Sequence, residues 1–214
     1  MTPPDLTPPQ GARKALIDAA LALFGDKGFD ATTTRELAAM AGVNIALIAY
    51  HFGGKDGLRI ACGQEIGRRI ATVVGTPRPP QNLTSASALD QLEFIVRAIS
   101  TFMHTAPEAQ KMVSFMIPEL IRGGPVLDAI YDTFISPKHA ELCALWSIAS
   151  GQDADSDKVR LSIFALIGQI AYFRLAKPVV LKKMGWDDIG PDEARQIGDL
   201  IATNLRTLLR GPNS

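Results

Sequence analysis

The side chains whose types and spacing could do chemistry are concentrated between Thr33 and Lys55, and the chemistry open to them is hydrogen bonding. The Thr33 hydroxyl and the Glu36 carboxylate stand three residues apart, the spacing at which each can satisfy the other's backbone N–H in a capping box. Asn44 is a second capping residue, just ahead of a run carrying Leu47, Ile48 and Phe52. Bond-making chemistry lacks comparable support. His51 has no Cys, Asp or Glu at ligand spacing beside it, and Gly53-Gly54-Lys55-Asp56 lacks both the earlier Gly and the following Ser or Thr of a phosphate loop. No Glu is followed three residues later by His, as a carboxylate-bridged metal site in a helical bundle requires. Cys62 and Cys143 provide neither a disulfide framework nor a CxxC zinc site, so no metal and no cofactor is expected.

Positioning these groups takes two short helices. Leu37, Ala38 and Ala41 follow the Thr33 cap at helical spacing, and Gly42 tolerates the positive φ with which a helix ends. Asn44 then opens the second. Neither helix is long enough to be stable alone, so the pair must pack on a platform. Ala12 to about Lys27, with Ala15, Leu16, Ala19, Ala20, Leu23 and Phe24 on one face, is predicted to supply it. A short helix, a Gly turn and a second short helix make a helix-turn-helix, whose second helix is sized for a major groove.

The residue string is more specific than the spacing. Thr33-Thr34-Arg35-Glu36-Leu37-Ala38, Ala41-Gly42-Val43, Ile48-Ala49-Tyr50-His51-Phe52 and Lys55-Asp56-x-Leu58 closely resemble the DNA-binding domain of TetR-family repressors. Asn44-Ile45-Ala46 ahead of Ile48-x-Tyr50-x-Phe52 is similar to the CecR-type subgroup. The resemblance covers about the first 70 residues well, and the remainder by helix number and general character. It implies that Thr33, Thr34 and Arg35 at the start of the second helix, Tyr50 and His51 at the end of the third, and Lys55 at the start of the fourth meet the DNA backbone. Free amides at a helix N-terminus and hydroxyl, phenol, imidazole and ammonium groups suit phosphate. Asn44, Ile45, Ala46, Leu47 and Ala49 are positioned to face bases. Only Asn44 among them can hydrogen-bond a base, and the small apolar side chains suit thymine methyls, so half-sites containing A·T pairs are expected. Leu47 and Ala49 depart from the Thr and Tyr common in the family.

Composition narrows the class. The 214 residues include 22 Lys and Arg against 22 Asp and Glu. Up to residue 75 eight cations face seven acids, which argues against a protein that coats DNA nonspecifically. No apolar run has the length of a membrane span, and MTPPDLTPPQ lacks the regions of a signal peptide, so a soluble cytoplasmic protein with a flexible arm at residues 1–10 is expected.

A fourth helix is predicted from Lys55 to about Val74, and Gly75, Pro77, Pro79 and Pro80 then break the chain. The expected domains are therefore a helix-turn-helix domain at 11–75 and a helical domain at 76–214. In the second, helices are predicted from about Ser87 to His104, from Pro107 until Pro118 kinks or ends it, and from about Val126 to Ala149 with an interruption near Ser136-Pro137. Val159 to Leu175 is apolar almost all round and must be covered on most sides; a shorter segment lies between Pro178 and Gly185, and Pro191 starts the last helix. With no alternating pattern of strands, the fold class is all-α, with about nine helices.

The resemblance implies a ligand-binding and dimerisation role for the second domain. A dimer joined through the last two long helices would present two reading heads to a palindromic operator. A small apolar or amphipathic inducer would meet Phe94, Phe102, Met103, Met112, Phe115 and Met116, with Tyr131, Phe134, Phe164 and Phe173. Core filling is the competing role of each. Gln169, Arg174, Glu119 and Arg122 are the candidates to orient it. The expected function is a one-component regulator, most simply a repressor released by its ligand. A ligand-independent or ligand-activated regulator is the alternative, and a helical-bundle enzyme is disfavoured.

Overall fold

The computed structural model describes residues 11–210, so the arm expected at residues 1–10 lies outside the described residues. Those residues form α1 (Ala12–Lys27), α2 (Thr34–Ala41), α3 (Ala46–Phe52), α4 (Lys55–Val74), α5 (Ser85–Thr105), α6 (Pro107–Arg122), α7 (Pro125–Ile130), α8 (Ser136–Ser150), α9 (Asp157–Leu175), α10 (Lys177–Met184) and α11 (Pro191–Arg210). No strand occurs among the described residues, and the fold is all-α. Eleven helices stand where about nine were expected. The Val126–Ala149 stretch is divided by a π-helical turn at Tyr131–Ile135, and the segment between Pro178 and Gly185 is a helix of its own. Pro137 sits at the start of α8 and has no N–H to donate to the preceding turn, which is why the wider π turn falls immediately before it. At Pro118 the helix continues to Arg122 rather than ending, with the ring on an exposed position where a missing N–H is tolerated.

Compactness divides the chain differently from sequence order. One unit runs up to Gly67 and takes in Gln110–Tyr131; the other comprises Arg68–Ala109 and Asp132–Ser214. In the first, Leu16, Ile17, Leu21, Leu37, Ile48, Leu58 and Ile66 are buried essentially completely. Each such side chain contributes about 1.5–3 kcal/mol through removal from water. Phe24 of α1 stacks on Phe115 of α6 with centroids 6.2 Å apart, and Gly25 leaves the space in which Ser114 approaches α1. The predicted amphipathic faces of α1 and α4 account for the first-unit core, but the part played by α6 depends on contacts across more than eighty residues of sequence.

In the second unit α5 lies between α8 and α11, around Leu92, Leu145, Trp146, Ile201 and Leu205. The α5–α11 contact is clasped by ions. Buried Glu93 accepts from Arg97 at 2.8 Å and from Arg206 at 2.7 Å, and Arg97 also donates to Asp199 at 2.8 Å. A buried Lys138 donates to Glu141 at 2.7 Å and to the Val74 carbonyl at 3.3 Å, capping the end of α4, while Glu141 accepts from the Arg78 amide at 3.2 Å. These bonds satisfy groups that burial would otherwise leave costly.

Candidate nucleic-acid interface and ligand groove

The first unit builds the reading head from its caps outward. Glu36 N donates to the Thr33 hydroxyl at 3.2 Å, and Thr33 N donates to Glu36 Oε2 at 2.8 Å, so the capping box is complete. The Lys27 ammonium also bonds the Glu36 carboxylate; this bond and those from Thr33 hold its pKa down at about 2. The Thr33 hydroxyl is thus engaged within its own helix. The amides of Thr34 and Arg35 lie ahead of the first intrahelical donor, with Thr34 half-buried and Arg35 exposed.

At the turn, Gly42 takes φ 65°, and the Val43 amide returns to the Ala38 carbonyl at 3.0 Å, a Schellman closure. Asn44 Oδ1 then accepts from the Ala46 amide at 2.9 Å. That bond starts α3 and leaves Nδ2 as the group Asn44 can offer a base, a donor suited to thymine O4 or a purine N7. Ile48, 2 % exposed, anchors α3 in the core. Ile45, Ala46, Ala49 and Tyr50 face outward, and Leu47 is half-buried as its position between the two faces predicts. Tyr50 is 71 % exposed, its ring T-shaped against that of His51 with centroids 4.9 Å apart. His51 is half-buried, and its Nε2 is enclosed without a hydrogen-bond partner among the described residues. Only the remainder of that ring is open to a phosphate.

The cations around α3 are seated on aromatic rings. The Lys55 ammonium lies 4.1 Å from the Phe29 ring centroid and the Arg59 guanidinium 4.4 Å from it, while Arg13 lies 5.4 Å from that of Phe52. Such seating restrains long side chains that would otherwise lose entropy on meeting a phosphate. Phe29, on which two of these cations sit, is a residue that sequence reading missed. A lone aromatic after Gly28 has no periodic partner, and its only signal is position, just past the end of α1.

The ligand candidates do not form one set. Met112, Phe115, Met116 and Tyr131 belong to the first unit; Met112 and Phe115 are buried core and Tyr131 is exposed. Glu119, also there, is buried and held by Arg59 through bonds of 2.6–3.0 Å, so it orients α4 against α6. Arg122 is exposed beside it. In the second unit Gln169 accepts from Asn204 at 2.8 Å, joining α9 to α11. Arg174 is half-buried, as are Met103 and Phe173, while Phe134 is buried and Phe164 exposed. Phe94 and Phe102 alone among the candidates line a groove of about 680 Å³ on the outer face of α5, with Val73, Asp90, Glu93, Arg97, Ala98 and Thr101. Its size falls within the range of small-molecule sites.

Residues 16–62 match the family described as bacterial regulatory proteins, tetR family, and residues 88–212 match the C-terminal domain of the HTH-type transcriptional dual regulator CecR. The chain is 33% identical to CecR of Shigella flexneri over 210 residues, covering 94% of this chain and 92% of that one. Among solved structures it resembles Salmonella enterica GusR, with a TM-score of 0.64 at 21% identity over 96% of this chain and 98% of that one. It also resembles AibR in complex with isovaleryl coenzyme A and operator DNA, with a TM-score of 0.63 at 17% identity over 90% and 97% of the respective chains. No single described helix is long and apolar enough to cross a membrane. The helix-turn-helix with its capping box, the helical second unit and these matches together make the chain a member of the TetR family of DNA-binding transcriptional regulators, of the CecR type, and not an enzyme.

Proposed function

We propose that the chain is a cytoplasmic, one-component repressor that binds a palindromic operator as a homodimer and is released by a small apolar or amphipathic ligand. The observation that carries this reading is the outward face of α3, where Ile45, Ala46, Ala49 and Tyr50 are exposed on a helix anchored by Ile48 and flanked by ring-seated cations. The α2 amides, Arg35, Tyr50, the open side of His51 and Lys55 hold the phosphates. Asn44, Ile45, Ala46, Leu47 and Ala49 meet the bases, with thymine methyls against the apolar side chains. Thr33 acts through the cap it supplies. Residues 11–75 serve as the reading domain, and residues 76–214 as the ligand-binding and dimerisation domain.

Dimerisation is supported by α9 and α11. Val159, Ile163, Leu166 and Ile170 bury one side of α9, while Leu161, Phe164, Ile167, Tyr172 and Leu175 stay exposed, as do Leu200 and Leu208 on α11. A face of that kind suits an isologous contact with a second copy. Ligand release is supported by the α5 groove; a ligand acts only if it prefers the arrangement that does not bind DNA.

Selection of bound sequences from a random duplex pool tests the reading. The expected product is a palindrome containing A·T pairs, its half-sites about one helical turn or a multiple apart, with affinity falling steeply as salt rises. A single unpaired half-site would refute dimeric reading, and recovery of no motif by the free protein would refute the repressor assignment.

A further inference from the structure

The α5 groove carries a charge that its surroundings do not cancel. Arg97 is the one cation among its lining residues, and it is held by Glu93 and Asp199, each at 2.8 Å. Glu93 is matched in turn by Arg97 and Arg206. Asp90, on the same lining, is exposed and has no ion pair or hydrogen bond among the described residues. One turn further along α5 stands Phe94, 61 % exposed, where the opposite side of the helix is packed by Leu92, Ile95 and Val96. Phe102, Ala98 and Val73 make the remainder of the wall apolar.

An unneutralised carboxylate beside an open aromatic face in an apolar trough attracts one kind of guest. The carboxylate favours positive charge, the negative face of the ring adds to that preference, and the trough takes apolar surface. An anionic guest would face Asp90 with no free cation among the described lining residues to offset it. We propose that the α5 groove is a site for a lipophilic cation, an amine or quaternary onium group carrying an apolar body, with Asp90 and Phe94 as the residues that select the charge. This rests on the reading of the groove as the regulator's ligand site and adds the chemical class of the ligand.

Tetraphenylphosphonium and tetraphenylborate are close in shape and opposite in charge, and triphenylphosphine oxide is a neutral relative. Calorimetric titration of the full chain without DNA should show the phosphonium binding at least tenfold more tightly than the borate. D90N should weaken the phosphonium roughly three- to tenfold, and F94A by a similar factor, the range expected for one exposed charge or one ring–cation contact. D90E should restore it. Both residues are exposed, so the melting temperature should stay near the wild-type value, and the comparison of probes on the wild-type chain stands without any variant. Equal or tighter binding of the borate or the phosphine oxide, no phosphonium binding, or unchanged phosphonium affinity in D90N would overturn the proposal. Operator release is read separately. Phosphonium that binds through Asp90 without releasing the operator supports the site and refutes ligand release by it; release by the neutral probe through a site insensitive to D90N supports a ligand-controlled repressor and refutes the cation site.

Discussion

Lys55 and Arg59 share the Phe29 ring, yet only Arg59 is also tied to a buried acid, Glu119. Lys55 therefore keeps its ammonium on the ring without a buried acid beside it, where it can also meet a phosphate. Lys55→Ala is expected to weaken binding about equally for operator and nonoperator duplexes and to reduce the slope of log affinity against log salt by about one. An unchanged slope in a salt titration of the variant would remove Lys55 from the phosphate contacts. In the second unit His104 is 6 % exposed with both ring nitrogens lacking hydrogen-bond partners among the described residues, and burial, with Arg174 and Lys177 nearby, lowers its pKa from 6.5 to about 4. The unfolded chain then takes up the proton at higher pH than the folded one. Its contribution to stability is complete above about 6.5, falls as the pH drops from 6.5 to 4, and levels below that. Urea midpoints measured across that range should fall with acidity in the wild type and be flatter in His104→Leu. At this scale the Thr33–Glu36 capping box was legible, because it is a local bond pair fixed by sequence spacing, whereas Asn44, expected to cap the second helix, stands one residue ahead of its N-cap Ile45 and bonds the Ala46 amide from there. The Phe29 platform and the Arg59–Glu119 pair were not, since neither leaves a pattern in the residues beside it.

Among the elements, α3 and α4 meet closely at Gly57. A Cβ built on Gly57 would stand 1.8 Å from the Phe52 carbonyl oxygen, so the first turn of α4 can cross the end of α3 only at glycine. The sequence pattern Lys55-Asp56-x-Leu58 leaves that position open, and the structure closes it. Gly57→Ala should force α3 and α4 apart, lowering the melting temperature by several degrees and abolishing operator binding, because overpacking against backbone costs about 1–3 kcal/mol or more. Retained affinity in a thermal-shift and gel-shift comparison would contradict the close crossing. Helix existence was otherwise readable from periodicity and breakers, as for α1, α4 and α11. The placement of the Tyr131–Ile135 π turn was not, because Pro137 announces that a bond is lost without saying where the backbone absorbs it.

For the whole molecule, α9 presents Leu161, Phe164, Tyr172 and Leu175 along one exposed side, with Ala165 and Gly168 between them small enough for a second helix to come close. If the proposed dimer forms through this face, Phe164→Glu should convert it to a monomer by placing charge in the contact, and operator affinity should fall at least tenfold because two half-sites are no longer joined. Sedimentation and gel shift on the same preparation check both; a dimer that survives with Glu at this position would move the interface elsewhere. The sequence by itself determined the class, the reading motif and its caps, the family and the apolar character of α9, because each depends on residues within a few turns of one another. Tertiary structure alone decided that Gln110–Tyr131 packs with the reading head, that Phe115 and Met112 are core, and that Phe94 and Asp90 share an open groove. Those outcomes turn on which apolar face meets which across long stretches of chain, and helical periodicity reports that a face exists without naming what covers it.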